Sequence, residues 1–356
     1  MTSSPRHPDQ PTQRPPTMRD VARAAGVSQS TVSRVLSGSD SPVLISDATR
    51  QRIIETARAL GYRPNPLARG LRGASTMLLG VIVRDITDPF FAGAIEAVSS
   101  EAAERGYNVV LGHAHGRADE AIVLRSVLET RHVDAILLLG DMTDQPRLVE
   151  DLRDCQIPVV SLWQGSALHG LRMVNVDNAA GIRQVLDHLF DLGHRRIAFV
   201  SGRPLGDIQE RRAAYEARMG EAGLVIPEGF VQHAPNDPAG GEAALNELLA
   251  LPDPPTAVVC STDQLAIGVL HGAAARGLRV PTDLSVTGFD DLPLSAFTVP
   301  ALTTVHMPVR EMAALAVELA IGAEPDGHAE PREAVLVPEL VVRDSTGPVP
   351  SSSRES

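Results

Sequence analysis

The sequence predicts an α + α/β protein: a small helical head at the N-terminus, then a long body of two consecutive doubly wound lobes built on parallel sheets. Three observations predict it. Residues 20–36, DVARAAGVSQSTVSRVL, carry the apolar spacing of two short helices joined by a glycine turn. From residue 76 short apolar runs alternate with amphipathic helical stretches, the grammar of βα units and parallel sheets. Charge is divided along the chain: residues 18–73 hold nine arginines against four acids, a balance of +5, which leaves −17 on the rest of a chain whose net charge is −12. A basic head on an acidic body concentrates attraction for phosphate at one end.

Residues 1–17 are rich in Pro, Ser and Thr and read as a disordered tail. Met18, directly before the first helix, offers an alternative translation start. In the first helix Val21, Ala22 and Ala25 form the apolar side, and Gly26 takes the bend. Ser28 is the N-cap of the second helix, Val32, Val35 and Leu36 face back onto the first, and Gly38 closes it. Its outward face is then Gln29, Ser30, Ser33 and Arg34, groups suited to base edges and phosphates in a major groove. Spacing alone also permits a plain solvated hairpin. After a loop at 37–42, Ser46 caps a third helix, 47–60, with Ile53, Ala57 and Leu60 on one face and Gly61 at its end. The segment YRPNPLARGLRG (62–73) allows about two helical turns after Asn65 and Pro66. Helices that short are marginal alone, and Gly70 weakens this one by about 1 kcal/mol. A linker that is helical only against DNA fits; an ordinary interdomain linker is the other reading.

In the body, strands are predicted at 77–83, 107–113, 134–140, 158–163, 196–202, 257–262 and 284–290. Helices are predicted at about 90–105, 119–131, 178–192, 207–222, 239–250, 263–276 and 308–321. Residues 344–356 read as a polar tail, with no leucine heptad for a coiled coil. Ligands of open α/β sheets bind beyond the carboxyl ends of strands. The polar groups there are Asp85, Asp88, His113, His115, Trp163, Arg203, Thr262, Asp263, Asp290 and Asp291, with Arg211 on the helix that follows 196–202. So many such groups suit a polar small molecule. Arg211 and Asp290 also admit ordinary readings, as a surface ion pair and a turn residue. Trp163, the only tryptophan, is either a packed core residue or an apolar platform for a ring.

All 32 basic side chains are arginine, which excludes a lysine Schiff base or P-loop lysine. No GxGxxG opening a helix, GxSxG elbow or HExxH is present. Two distant cysteines, Cys155 and Cys260, suggest neither a disulfide framework nor a metal site, and the His113/His115 pair lacks a further ligand cluster. No metal and no cofactor are expected. No apolar run approaches ~18 residues and no signal-peptide core precedes the head, so a cytoplasmic protein with no membrane partner is expected.

The strings VSQSTVSRVLSG and LGYRPNPLARGL resemble the lactose/galactose repressor (LacI/GalR) family very closely. The resemblance runs from about 18 to 343 through RDITDPFF, VNVDNAAG, LGHRRIAFVSG, STDQLAIG and GFDDLPLSAFTVPALTTVHMP. It implies a three-helix helix-turn-helix head (18–64), a hinge helix (65–75), and a type I periplasmic-binding-protein-like effector and dimerisation domain (76–343) whose chain crosses between lobes near 176, 306 and 336. It further implies a homodimer on a pseudo-palindromic double-stranded DNA operator. Gln29, Ser30 and Arg34 would read base edges, with Ser28, Thr31 and Ser33 on phosphates. Tyr62, Asn65 and Ala68 would serve the hinge, and Leu71 would be the minor-groove wedge. The family's effector contacts map onto Arg211, Asp290 and Thr262, and Asp85, Phe91, His115 and Trp163 complete the expected effector set. Trp163 stands where many members carry an aspartate, and Ala214 replaces a frequent glycine. The implied function is a transcriptional repressor controlled by a small-molecule effector: a sugar first, then a sugar phosphate or nucleoside.

Overall fold

The computed structural model describes residues 16–37, 45–62, 75–114, 133–155, 157–163, 171–203, 206–322 and 333–350. The chain divides into two compact units, residues 1–76 and 77–356. Among the described residues no helix is long and apolar enough to cross a membrane.

The first unit contains α1 (Met18–Ala25), α2 (Gln29–Ser37) and α3 (Asp47–Ala59). Its core is Val21, Ala22, Ala25, Val32, Val35, Ile53 and Ala57. Small side chains at 22, 25 and 57 let three short helices approach closely. Gly26 takes φ +67° at the end of α1, where a Cβ would be strained. Ser28 Oγ accepts from Thr31 N at 3.1 Å and Ser46 Oγ from Thr49 N at 3.3 Å, so both serines act as N-caps. Two expectations are corrected. Thr17 is not tail: its N–H and hydroxyl both donate to the Asp20 carboxylate, at 2.9 and 2.6 Å, and cap α1. Leu60 does not join the face of Ile53 and Ala57; Gly61 turns the chain, leaving Leu60 40% exposed while Tyr62 packs on the core.

The second unit holds two parallel sheets. The first lobe's sheet has the order β2-β1-β3-β4-β5-β11: β1 (Leu78–Val83), β2 (Asn108–His113), β3 (Ala135–Leu139), β4 (Val159–Leu162), β5 (Arg172–Val176) and β11 (Glu333–Leu336). The second has β7-β6-β8-β9: β6 (Ile197–Ser201), β7 (Val231–His233), β8 (Ala257–Cys260) and β9 (Ser285–Thr287). Their helices are α4 (Pro89–Glu104), α5 (Pro146–Arg153), α6 (Asn178–Asp191), α7 (Gly206–Glu221), α8 (Pro238–Leu249), α9 (Asp263–Ala275) and α10 (Val309–Ile321). Alternate residues of β1 and β3 point into different clusters: Leu79, Val81, Val83, Ala135, Leu137 and Leu139 into one, Ile82, Ile136 and Leu138 into another. Burial on both faces is why these strands are continuous apolar runs.

The lobes are joined at the three predicted places. The chain leaves the first sheet at Val176 for α6, returns after β10 (Thr304–His306) into α10, and leaves again after β11 through β12 (Glu339–Val341). β10 and β12 pair antiparallel, a two-stranded strap between the lobes. The polar end predicted as tail is corrected over 344–350. Ser345 is fully buried, its Oγ donating to Val286 O at 2.6 Å and accepting from Thr303 N at 2.8 Å, and Val349 N donates to Leu192 O at 3.0 Å. This stretch is held by hydrogen bonds of its backbone and of the Ser345 hydroxyl, which leave no apolar signature. The hinge helix and the predicted helix 119–131 lie outside the described residues.

Candidate functional site

A cavity of about 200 Å³ lies between the lobes, at the carboxyl ends of strands from both sheets. For scale, a ~150 Å³ protein cavity can hold benzene. The first lobe contributes Arg84, Asp85, Asp88, Phe90, Phe91, Gly140, Asp141 and Trp163; the second contributes Arg203, Asp207, Ile208, Arg211, Asn236, Thr262 and Asp290. Of the predicted effector residues, Asp85, Phe91, Trp163, Arg211, Thr262 and Asp290 are thus brought to one wall system, and His115 lies outside the described residues. Asp263, Asp291 and His113 do not line it.

The floor is Arg211, 3% exposed, held by α7. Its Nε donates to Asn178 Oδ1 at 2.9 Å, and its Nη1 to Ser261 O at 2.7 Å and Asp290 Oδ1 at 3.1 Å. Its guanidinium lies over the Phe289 ring, 3.7 Å from the centroid. Burial pushes the Asp290 carboxyl well above its ordinary range; Arg211 opposes that, and Asp263 and Asp88 reinforce it. Asp290 and Trp163 both take positive φ, 114° and 59°. Such backbone is uncommon for non-glycine residues and gathers at binding sites.

The apolar wall is Trp163 with Phe90 and Phe91. Phe90 meets Trp163 edge-on at 5.0 Å between centroids and Phe91 at 5.4 Å. Trp163 fits both earlier readings: it is 3% exposed with Nε1 directed at Met312 Sδ at 3.2 Å, yet it lines the cavity. Gly140, at φ +91°, makes room, since a Cβ there would fall 2.6 Å from the Phe91 ring.

Polar contacts cross the cleft at two places. Asn236 Nδ2 donates to Asp88 Oδ2 at 3.1 Å while Thr262 Oγ1 donates to Asn236 Oδ1 at 2.6 Å. Asp144 is held by Arg84 through two bonds of 2.8 Å and lies 3.6 Å from Arg203 of the other lobe. The hydrogen bonds of Arg84 hold Asp144 below the usual carboxylate range, whereas burial raises Asp88. The sequence did not single out Arg84, Phe90, Asp141, Asp207, Ile208 or Asn236. Asp88 was noted at a strand end but not placed in the expected effector set; it also caps α4, its Oδ1 accepting from Phe90 N at 3.0 Å.

In the head, Ser28, Gln29 and Ser30 are exposed at the start of α2, and Thr31, Ser33 and Arg34 are half-buried. The hydroxyls of Ser30 and Thr31 each lie 2.7 Å from Ser28 Oγ, a clustered polar tip at the amino end of the helix. Tyr62 is half-buried against the head core, and Asn65, Ala68 and Leu71 lie outside the described residues.

Residues 17–65 match the lacI family of bacterial regulatory proteins, and 186–346 match the periplasmic binding protein-like domain. The HTH-type transcriptional repressor CytR of Escherichia coli K12 is 34% identical over 338 residues, covering 94% of this chain and 97% of its own. The chain belongs to the LacI family. Its structure resembles that of the Lac repressor dimer bound to operator and the anti-inducer ONPF, with a TM-score of 0.82 at 25% identity, covering 94% of this chain and 100% of that one. The transcriptional regulator CelR in complex with cellobiose matches with a TM-score of 0.67 at 32% identity, covering 93% and 99%. This LacI-family chain is therefore a DNA-binding transcriptional regulator with a helix-turn-helix domain and a periplasmic-binding-protein-like effector domain. The exposed end of α2 is the part of the head whose chemistry suits DNA, and the cleft between the lobes is the part of the body that can enclose a small molecule.

Proposed function

We propose that this regulator is a cytoplasmic repressor that binds a pseudo-palindromic operator as a homodimer, has no catalytic activity, and is controlled by a sugar or sugar derivative held between the lobes. The observation that carries the effector reading is the buried Arg211–Asp290 pair at the floor of a cavity walled by Trp163, Phe90 and Phe91. Paired donors and acceptors below an apolar face match the two chemistries of a sugar ring, its hydroxyl edge and its C–H face. The cellobiose held by the similar CelR supports that class. The Lac repressor dimer on its operator supports the dimer. In the head, Gln29, Ser30 and Arg34 read bases; Ser28, Thr31 and Ser33 hold phosphates. Residues 65–75, with Leu71 as the wedge, pass a change in lobe angle to the heads. No cofactor enters this scheme.

Selection of bound duplexes from a random pool with the full-length protein at fixed, near-physiological salt tests the reading, because salt alone shifts nucleic-acid affinity steeply. A pseudo-palindrome with half-sites about one helical turn apart is expected. In parallel, Leu71→Ala should relax the central step and Arg34→Ala a flanking base. No enrichment, with or without a small-molecule extract, contradicts it.

A further inference from the structure

Asp290 and Asp291 are consecutive and both take left-handed backbone, at φ 114° and 54°. Asp290 bonds Arg211 at the floor of the cleft. Asp291 does not line the cavity and bonds instead to the strap between the lobes. Its Oδ2 accepts from Nδ1 of His306, the last residue of β10, at 3.0 Å. Its Oδ1 accepts from Nη2 of Arg343, two residues past β12, at 2.6 Å. Arg343 is anchored further, its N donating to Thr303 Oγ1 at 2.9 Å and its Nη1 to Leu302 O at 2.8 Å. The chain leaves the second lobe after β10 and re-enters it through β12. One carboxylate thus holds the ends of two crossovers, next in sequence to a residue of the cleft floor.

The turn that carries both aspartates is stiff. Gly288 N donates to Thr303 O at 2.9 Å and Asp290 N to Val305 O at 3.0 Å. The buried Asp263 carboxylate accepts with Oδ2 from Leu292 N at 2.8 Å and Ser295 Oγ at 2.6 Å, and with Oδ1 from Thr304 Oγ1 of β10. Left-handed backbone at a non-glycine residue is costly and persists only where the surroundings over-determine it, as these bonds do. A turn so held moves as one piece. A pull on Asp290 displaces Asp291, and with it the ends of β10 and β12. The bond to Arg343 joins two charged groups, which makes it stronger than a neutral one and less prone to yield under that displacement.

We infer that Asp291 is a positioning residue for the response to effector: it takes up movement of the cleft floor at Asp290 and passes it, through His306 and Arg343, to two of the three crossovers between the lobes. The inference rests on the proposed coupling of cleft to DNA and names a side chain that carries it. Coupling between two binding sites is reciprocal. Operator bound at the head is therefore felt at the cleft by the same route, and DNA can serve as the probe.

The test uses the full-length protein, a duplex recovered by selection with the unaltered protein, and hydrogen exchange read by mass spectrometry. Asp291→Asn suits it. Asparagine tolerates left-handed backbone, so the turn keeps its shape, while its amide offers one oxygen where two donors need two. With operator occupancy matched by anisotropy, DNA should change the exchange of peptides spanning Phe90–Phe91 and Trp163, which line the cavity. In Asp291→Asn that operator-induced difference should fall by at least half. Without DNA, exchange in β6 and β8, the centre of the second lobe's sheet, should match the unaltered protein; loss of a merely structural brace would raise it. A variant that keeps more than half of the operator-induced difference, or that exchanges faster throughout β6 and β8, overturns the inference and leaves the coupling of cleft to DNA standing. No operator-induced difference in the unaltered protein overturns both. His306→Ala, at a side chain 53% exposed, cuts the tie to β10 alone and should also reduce the difference. Should Asp291→Asn not fold, His306→Ala decides: a reduced difference supports the inference and an unchanged one overturns it.

Discussion

Replacing Arg211 by alanine strips the floor of the cleft of its cation. Asp290, whose side chain is 7% exposed, then loses its ion-pair partner, and Asn178 Oδ1 and the Ser261 carbonyl lose their donors. Breaking a buried pair by deleting one partner costs about 3–5 kcal/mol, because the surviving charge stays out of water. For a unit as large as residues 77–356, with about 2 °C per kcal/mol, the melting temperature should fall by roughly 6–10 °C at neutral pH. The carboxyl of Asp290 is already raised by burial, so protonation relieves the variant, and the deficit should shrink at pH 5. Trp163 fluorescence is the assay, since this single tryptophan lies in the wall above Arg211. A drop below about 2 °C at pH 7.5, or a deficit that grows on acidification, would refute the assignment of Arg211 as the cation that keeps Asp290 buried.

Further outcomes follow from other residues. Asp207 has its carboxyl raised from 3.8 to about 6 in the folded protein. The folded state therefore binds more protons than the unfolded one between those values, and the stability of the unaltered protein relative to Asp207→Asn should fall by about 3 kcal/mol from pH 4 to 6 and stay level above, as melting curves across pH would show. Gly268→Ala places a Cβ 1.9 Å from the Pro238 carbonyl where α9 crosses α8, and should cost at least about 2 kcal/mol in urea unfolding. Arg34→Ala should lose about 1–3 kcal/mol of discrimination at one base pair per half-site, measured by competition between operator variants at fixed salt.

Legibility in the sequence followed the kind of burial. Residues 78–83 and 135–139 were readable because both faces of those strands are covered, leaving unbroken apolar runs. β7 has three residues and β11 alternates exposed and half-buried positions, so neither rises above loop composition. The stretch 344–350 was misread because Ser345 is buried through hydrogen bonds to Val286 and Thr303 rather than through apolar area. The site divided in the same way. Thr262 and Asp290 lie in recognisable strings, and Arg211 was placed by the resemblance on the helix after 196–202. Asp88 looks like any helix cap, and Asn236, just before the Asp237 cap of α8, like any turn residue; only folding sets them 3.1 Å apart across the cleft. Asp207 has one local signal, a carboxylate four residues before an arginine on one helix, and that spacing matches its ion pair with Arg211 at 3.8 Å.

The proposed function turns on whether occupancy of the cleft governs DNA binding. The most direct measurement titrates the operator-bound, unaltered protein with a cleft-binding sugar while recording Trp163 fluorescence and operator anisotropy together. Both signals should change over one concentration range, with operator affinity shifting by a factor set by the effector's differential affinity for the two states. Saturation of the Trp163 signal with no change in operator affinity would contradict it.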